Sequence, residues 1–123
     1  QPCSSAASDV YKRQPVVKAF QRRENKTEFW ENSETVALGL NVPGPIGGYW
    51  ILRILYESNG IAVDVPESDL QNLTDEFNSI TRINAGPEAG VVWGAFQKLR
   101  NVGWIDNSQS VVLFATGIER CKL

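Results

Sequence analysis

Two short apolar segments constrain the fold of this chain more than any other feature. The first, "IAVDV" at residues 61–65, is rich in β-branched residues, and the second, "VVLFA" at residues 111–115, is apolar throughout. Both have the composition of β-strands that are buried on both faces. Segments with helical periodicity lie between them, and strands joined through helices pair in parallel through right-handed crossovers. The sequence therefore predicts an α/β fold with a partial parallel-sheet layer and flanking helices.

Apolar residues recur at helical spacing in four places. These are "VVKAFQRR" after Pro15, "YWILRILYES", "ESDLQNLTDEF" and the segment that begins at Pro87. Proline is favoured in the first turn of a helix, and Asn59-Gly60 and Gly103 are typical of helix ends. We expect "SITRIN" to form a short strand.

The first fourteen residues differ from the rest of the chain. "QPCSSAASDVYKRQ" has no apolar periodicity and lacks the apolar centre of a secretory signal. This sequence resembles the translation product of a sequencing adaptor. We therefore expect residues 1–14 to be a non-native or disordered tail, with a genuine polar tail as the alternative, and the length of residues 15–123 allows one domain or part of one.

Composition excludes several classes of function. A net charge of −2 gives no reason to expect nucleic acid or an anionic membrane as a partner, and no apolar run approaches the roughly 20 residues that span a bilayer. The chain contains no histidine, which removes the commonest general base and metal ligand. Cys3 and Cys121 lack the spacing of a metal site or a disulfide framework, so a cytoplasmic location is the default.

Three places could carry chemistry, and each has a simpler structural explanation. In parallel α/β sheets, ligands bind beyond the carboxyl ends of the strands, where Thr116-Gly117 is predicted to lie, although an ordinary strand end is the commoner reason for such a pair. Pro87-Glu88 suits a helix start, where a carboxylate complements the helix dipole or orients a substrate. The glycines of "VPGPIGGYW" could hold a phosphate or form a turn. Asp64, within the first strand, receives no role.

Several blocks taken together resemble a known family. "ETVALGLNVP", "ILRILYESNG", "PE" before "AFQKL", "GWI" and "VVLFATG" occur in the order and spacing of the C-terminal part of threonine synthase. That family belongs to the fold-type II pyridoxal-phosphate enzymes, which are tryptophan synthase β-like. The resemblance runs from about Pro15 to Gly117, and it implies that residues 15–123 are the C-terminal part of a pyridoxal-phosphate-dependent catalytic domain.

The resemblance implies a cofactor site and a reaction. In the family, a hydroxyl from the terminal strand meets the pyridine nitrogen of pyridoxal 5'-phosphate, and the matching residue is Thr116, followed by Gly117. Glu88 matches a glutamate near the cofactor, although the order here is Pro-Glu-Ala-Gly. The parent enzyme would be a lyase that converts O-phosphohomoserine, an amino-acid phosphate, and water to threonine and phosphate. No residue is assigned as catalytic or as a metal ligand.

The chain also departs from the family pattern. "TGIERCKL" replaces the usual residues after Thr-Gly, and no segment matches the Schiff-base lysine or the glycine-rich phosphate loop. We therefore expect the chain alone to be inactive. A threonine or serine dehydratase, a cysteate-synthase-like enzyme and a non-catalytic α/β binding module are the alternatives. The parent's oligomeric state stays open between a monomer and a homo-oligomer.

Overall fold

A computed structural model describes residues 6–10, 15–29 and 35–118 of the chain. Its elements are strand β1 (Ala6–Val10), helix α1 (Pro15–Gln21), helix α2 (Gly48–Glu57), strand β2 (Ile61–Val65), helix α3 (Leu70–Thr81) and helix α4 (Pro87–Asn101). Short 3₁₀ helices occupy Leu38–Leu40 and Glu67–Asp69. The described part of the chain is therefore mixed α/β, which agrees with the predicted class.

The sheet consists of β1 and β2, which pair in parallel within the described residues. The register aligns Ala6 with Ile61 and Val10 with Val65. β1 falls within the segment that the sequence analysis set aside as a tail, and the remainder of that segment lies outside the described residues. Whether residues 1–14 are native therefore stays a prediction.

Strand β2 lies between two helical layers. On one side, Ala62 packs with Val17 of α1 and Leu55 of α2. On the other side, Val63 and Val65 join a larger cluster that α3, α4 and the following loop complete; its other buried members include Leu70, Val91, Ala95, Leu99 and Ile105. Burying a valine or leucine side chain stabilises a fold by about 1.5–3 kcal/mol. Because β2 contributes buried side chains to both clusters, it joins the two helical layers.

The four helices and β2 confirm the predictions made from apolar periodicity. The helix ends also follow the sequence signals. Asn59, just after α2, adopts a left-handed φ of 51°, and Gly103, just after α4, adopts a φ of 75°. Such angles are the usual way to end a helix.

The prediction of a second buried strand at Val111–Ala115 is wrong. The segment is not assigned to any strand, and Val112 and Phe114 are 79% and 75% exposed. A strand requires a hydrogen-bonding neighbour, and among the described residues this part of the chain pairs only past Thr116, where the Gly117 carbonyl accepts from the Gly86 N–H and Ile118 forms an antiparallel bridge with Ala85. Thr116 accordingly does not stand at the end of a strand here.

The predicted short strand "SITRIN" is also wrong. Helix α3 continues through Thr81, and Arg82 ends it with a left-handed φ of 58° while its N–H donates to the carbonyl of Asn78. The Asn78 side chain then accepts from the Ala85 N–H at 2.9 Å and donates to the Ala85 carbonyl at 3.1 Å. These bonds satisfy the backbone of Ala85, the residue that follows the segment.

No helix in the described ranges has both the length and the apolar character that crossing a membrane requires.

Candidate functional site

Glu88 lies in the first turn of α4. Pro87 is the first residue of the helix, and Gly86 precedes it with extended backbone. The half-buried Glu88 side chain turns back toward residues 38–40, where its Oε1 accepts a hydrogen bond of 2.9 Å from the Gly39 N–H. A carboxylate at this end of a helix also complements the helix dipole.

The other carboxylate oxygen of Glu88 faces two further glycines. A Cβ atom built on Gly117 would lie 2.7 Å from Oε2, and one built on Gly86 would lie 2.9 Å from the same atom. Gly86 and Gly117 also contact each other, because the Gly86 N–H donates to the Gly117 carbonyl at 3.1 Å. We call Gly39, Gly86, Glu88 and Gly117 the Glu88 junction.

The junction depends on the small size of its glycines. Contacts under 3.0 Å are closer than a real Cβ tolerates, so a larger residue at Gly39, Gly86 or Gly117 would displace the carboxylate. Two segments that are distant in sequence, at Gly39 and at Gly117, thus approach the side chain of Glu88 beside Gly86. Glu88 and Gly117, two of the three residues predicted for the site, are in direct contact.

Thr116, the third predicted residue, directly precedes Gly117. Its side chain is exposed, and its hydroxyl makes no hydrogen bond to another residue that the structure describes. The segment before it is anchored by Leu113, which packs against Phe77 and Ala85. Thr116 therefore lies between two fixed points, with its hydroxyl accessible.

The glycine-rich turn before α2 has a structural role. The Gly48 N–H donates to the Pro45 carbonyl at 3.0 Å, and a Cβ on Gly48 would meet the Thr27 hydroxyl at 2.6 Å. Through these contacts the turn begins α2 and packs the start of that helix against Thr27. They favour the simpler of the two interpretations made from the sequence.

Asp64, which received no role, forms an ion pair with α4. Lys98 Nζ lies 2.9 Å from Asp64 Oδ1 and also donates to the Asp64 carbonyl at 3.2 Å. This lysine is therefore engaged in linking α4 to β2. The part of the chain that the structure describes contains no group of three side chains able to hold a metal ion.

Comparison with known proteins finds a distant similarity in sequence to an enzyme. No family model matches the sequence. The chain is similar to a threonine synthase of Methanosarcina acetivorans. The two sequences are 26% identical over 103 residues, which make up 84% of this chain and 25% of the relative. The chain thus spans about a quarter of the length of that threonine synthase.

The sequence analysis missed Gly39 as a part of the site, and it missed Glu67 as a second anchor of the same segment. Glu67, at the start of the 3₁₀ helix before α3, accepts hydrogen bonds from the Thr35 hydroxyl at 2.7 Å and the Val36 N–H at 2.8 Å. It holds the same segment that Glu88 holds at Gly39. A signal for this pairing was present, since Pro66-Glu67 repeats the Pro-Glu pattern of Pro87-Glu88.

Proposed function

We propose that this chain is the C-terminal part of a fold-type II, pyridoxal-phosphate-dependent threonine synthase. The reaction would convert O-phosphohomoserine and water to threonine and phosphate. One observation carries the proposal. "ETVALGLNVP", "PE" and "VVLFATG", three of the blocks that resemble threonine synthase, supply Gly39, Glu88 and Gly117, which meet at one carboxylate. The similarity over 103 residues to a threonine synthase supports the same assignment.

The residues at the junction suit the ring-nitrogen end of pyridoxal phosphate. When bound, this cofactor supplies an electron sink that stabilises carbanion charge on the substrate. Thr116 offers a neutral hydroxyl that is exposed and free to form a hydrogen bond with a ring nitrogen. Gly117 allows the backbone to approach other groups closely, and Glu88 fixes the segment beside it.

The chain supplies only this end of the site. We assign the lysine that anchors the cofactor and the loop that binds its phosphate to a part of the enzyme that this chain does not match. Lys98 is paired with Asp64, away from this role. The chain alone is therefore proposed to be inactive, and the substrate would bind between the two parts.

A chimeric enzyme tests the proposal. The matched segment of the Methanosarcina acetivorans threonine synthase is replaced by the corresponding residues of this chain, and phosphate release from O-phosphohomoserine is measured with pyridoxal phosphate present. We expect activity in the chimera and none in the chain alone. Thr116→Ser keeps the hydroxyl and should retain activity, whereas Thr116→Val, which has nearly the same shape, should lose at least tenfold.

Two outcomes would contradict the proposal. A folded chimera that binds the cofactor but treats Thr116→Val and Thr116→Ser alike would remove the role of the hydroxyl. A chimera that deaminates threonine or serine without releasing phosphate from O-phosphohomoserine would instead support a dehydratase.

A further inference from the structure

We propose that Glu88 is a positioning residue that sets the place of the Thr116 hydroxyl through the backbone of Gly117. The ligand that this hydroxyl would contact depends on the proposed function. The positioning of the hydroxyl is argued only from contacts within the chain. Glu88 would thus serve the site without touching the cofactor. The sequence analysis expected Glu88 near the cofactor, and the proposed role makes its effect on the site indirect.

The orientation of the carboxylate supports an indirect role. Oε1 is occupied by the Gly39 N–H at 2.9 Å, and Oε2 faces the backbone of Gly86 and Gly117. Both oxygens are therefore directed at main-chain atoms of this chain. The three heavy atoms nearest to a Cβ on Gly117 all belong to Glu88, so this side chain defines one wall for the residue after Thr116.

The backbone around the junction carries the effect to Thr116. The Gly86 N–H bonds the Gly117 carbonyl at 3.1 Å, and the next residue, Ile118, forms a bridge with Ala85. This pairing joins the terminal segment to the loop before α4. Because Glu88 contacts both partners of the pairing, its loss should loosen the pairing and release Thr116.

Glu67 provides a matched control for this inference. It follows a proline, lies at the start of a helical segment and holds the same distant segment, as Glu88 does, but its contacts are with Thr35 and Val36. Substituting Glu67 should release that segment at one point and leave the pairing of Gly86 with Gly117 in place. Variants of the two glutamates can therefore be compared. A Glu67 variant should only loosen the segment at residues 35–36, whereas a Glu88 variant should also displace Thr116.

Amide hydrogen exchange of the intact chain is the first test. We expect Glu88→Ala to accelerate exchange of the Gly39 and Gly86 amides at least tenfold, while amides in the middle of α4 keep their rates. Glu88→Gln, whose amide oxygen still accepts a hydrogen bond, should restore part of the protection. Glu67→Ala should accelerate the Val36 amide and leave the Gly86 amide unchanged. Unchanged Gly86 exchange in Glu88→Ala would overturn the inference.

The chimera provides a second test with a spectroscopic readout. If Glu88 acts through Thr116, the absorbance band of the bound cofactor should shift alike in Glu88→Ala and Thr116→Val, and the double variant should shift no further. Additive shifts would mean that Glu88 acts on the cofactor directly and would overturn the inference. A chimera that fails to bind the cofactor would count against the proposed function, and exchange in the chain would still decide the positioning role.

Discussion

A side chain is unfavourable at Gly86 and at Gly117 for different reasons. A Cβ on Gly117 would meet only Glu88 among its three nearest atoms, whereas one on Gly86 would also lie 3.0 Å from the carbonyl oxygen of Ile118. A flexible side chain can move away from a new methyl group, but paired backbone cannot do so without losing its contacts. The same substitution should therefore have different consequences at the two positions.

We predict that Gly117→Ala lowers the free energy of unfolding by about 1 kcal/mol, because it displaces the Glu88 carboxylate. In a Glu88→Ala background the clash is absent, so the added cost should fall to nearly zero. Gly86→Ala should cost about 1–3 kcal/mol in either background. Urea denaturation of the single and double variants measures these differences, and an unchanged cost of Gly117→Ala without Glu88 would contradict the geometry.

Asp106 gives the turn after α4 a dependence on pH. The Ser108 hydroxyl and the Ser108 N–H both donate to its carboxylate, and these bonds lower the pKa of Asp106 below its ordinary value of 3.8. A pKa that is lower in the folded state contributes stability above pH 3.8, and that contribution is lost as the pH falls through the folded value.

We therefore predict that Ser108→Ala raises the pKa of Asp106 toward 3.8, because it removes the larger of the two contributions. An NMR titration of the Asp106 carboxyl carbon measures the shift. Asp106→Asn should lower stability at neutral pH, because it removes the carboxylate that the Ser108 bonds stabilise, and it should abolish the part of the acid-induced loss that Asp106 causes below pH 3.8. A titration that is identical in Ser108→Ala would show that the hydroxyl does not stabilise the carboxylate.

At the scale of elements, α3 and α4 form the most extensive helix contact of the described fold. A Cβ on Gly90 of α4 would lie 3.0 Å from both the Leu70 carbonyl oxygen and the Thr74 nitrogen. A Cβ on Gly94, one turn later, would meet the ends of the Leu73 and Val65 side chains. The helices therefore approach through backbone at Gly90, whereas at Gly94 the nearest atom of α3 is the flexible end of the Leu73 side chain.

These two glycines form a controlled comparison of packing. Replacing either one by alanine gains up to about 1 kcal/mol of helix propensity. We predict that Gly90→Ala is nevertheless about 1–3 kcal/mol less stable than Gly94→Ala, because only the former pushes the backbones of α3 and α4 apart. Thermal and denaturant unfolding of both variants measure the difference. Equal stabilities would show that the helices can separate at Gly90 without cost.

Elements defined by local periodicity could be predicted from the sequence, and elements defined by distant pairing could not. The four helices and β2 each carry an apolar pattern that is complete within the element. Val111–Ala115 carries the pattern of a strand, but a strand also needs a neighbour. Conversely, Ala6–Val10 lacks the apolar pattern that is typical of a buried strand. It forms a strand because it pairs with β2. The sequence does not encode these partners locally.

The candidate site divides in the same way. Thr116, Gly117 and Glu88 could be found because they lie in blocks that resemble a family, and the structure brings Glu88 and Gly117 into contact. Gly39 lies in such a block too, but nothing in its local sequence indicates that its N–H meets a carboxylate 49 positions away. The cofactor role of these residues stays a prediction.

At the scale of the whole molecule, α2 is apolar on two sides. Leu52 and Leu55 are buried, while Trp50 and Ile54, one turn apart, are 60% and 55% exposed. Helices that are apolar all round usually lie inside a protein. The terminal segment repeats this feature, because Val112 and Phe114 are exposed although the segment is anchored. The molecule therefore carries two apolar surfaces that favour association.

We predict that the chain associates with itself as its concentration rises, and that Ile54→Lys and Phe114→Lys each reduce this association. Neither substitution should lower the free energy of unfolding by more than about 0.5 kcal/mol, because both side chains are already exposed. Leu55→Ala is the control, since it should cost about 2–5 kcal/mol in stability and leave both apolar surfaces in place. Sedimentation velocity across a range of concentrations measures the association. If Ile54→Lys and Phe114→Lys sediment as the unsubstituted chain does, the exposed apolar residues are not the cause of association.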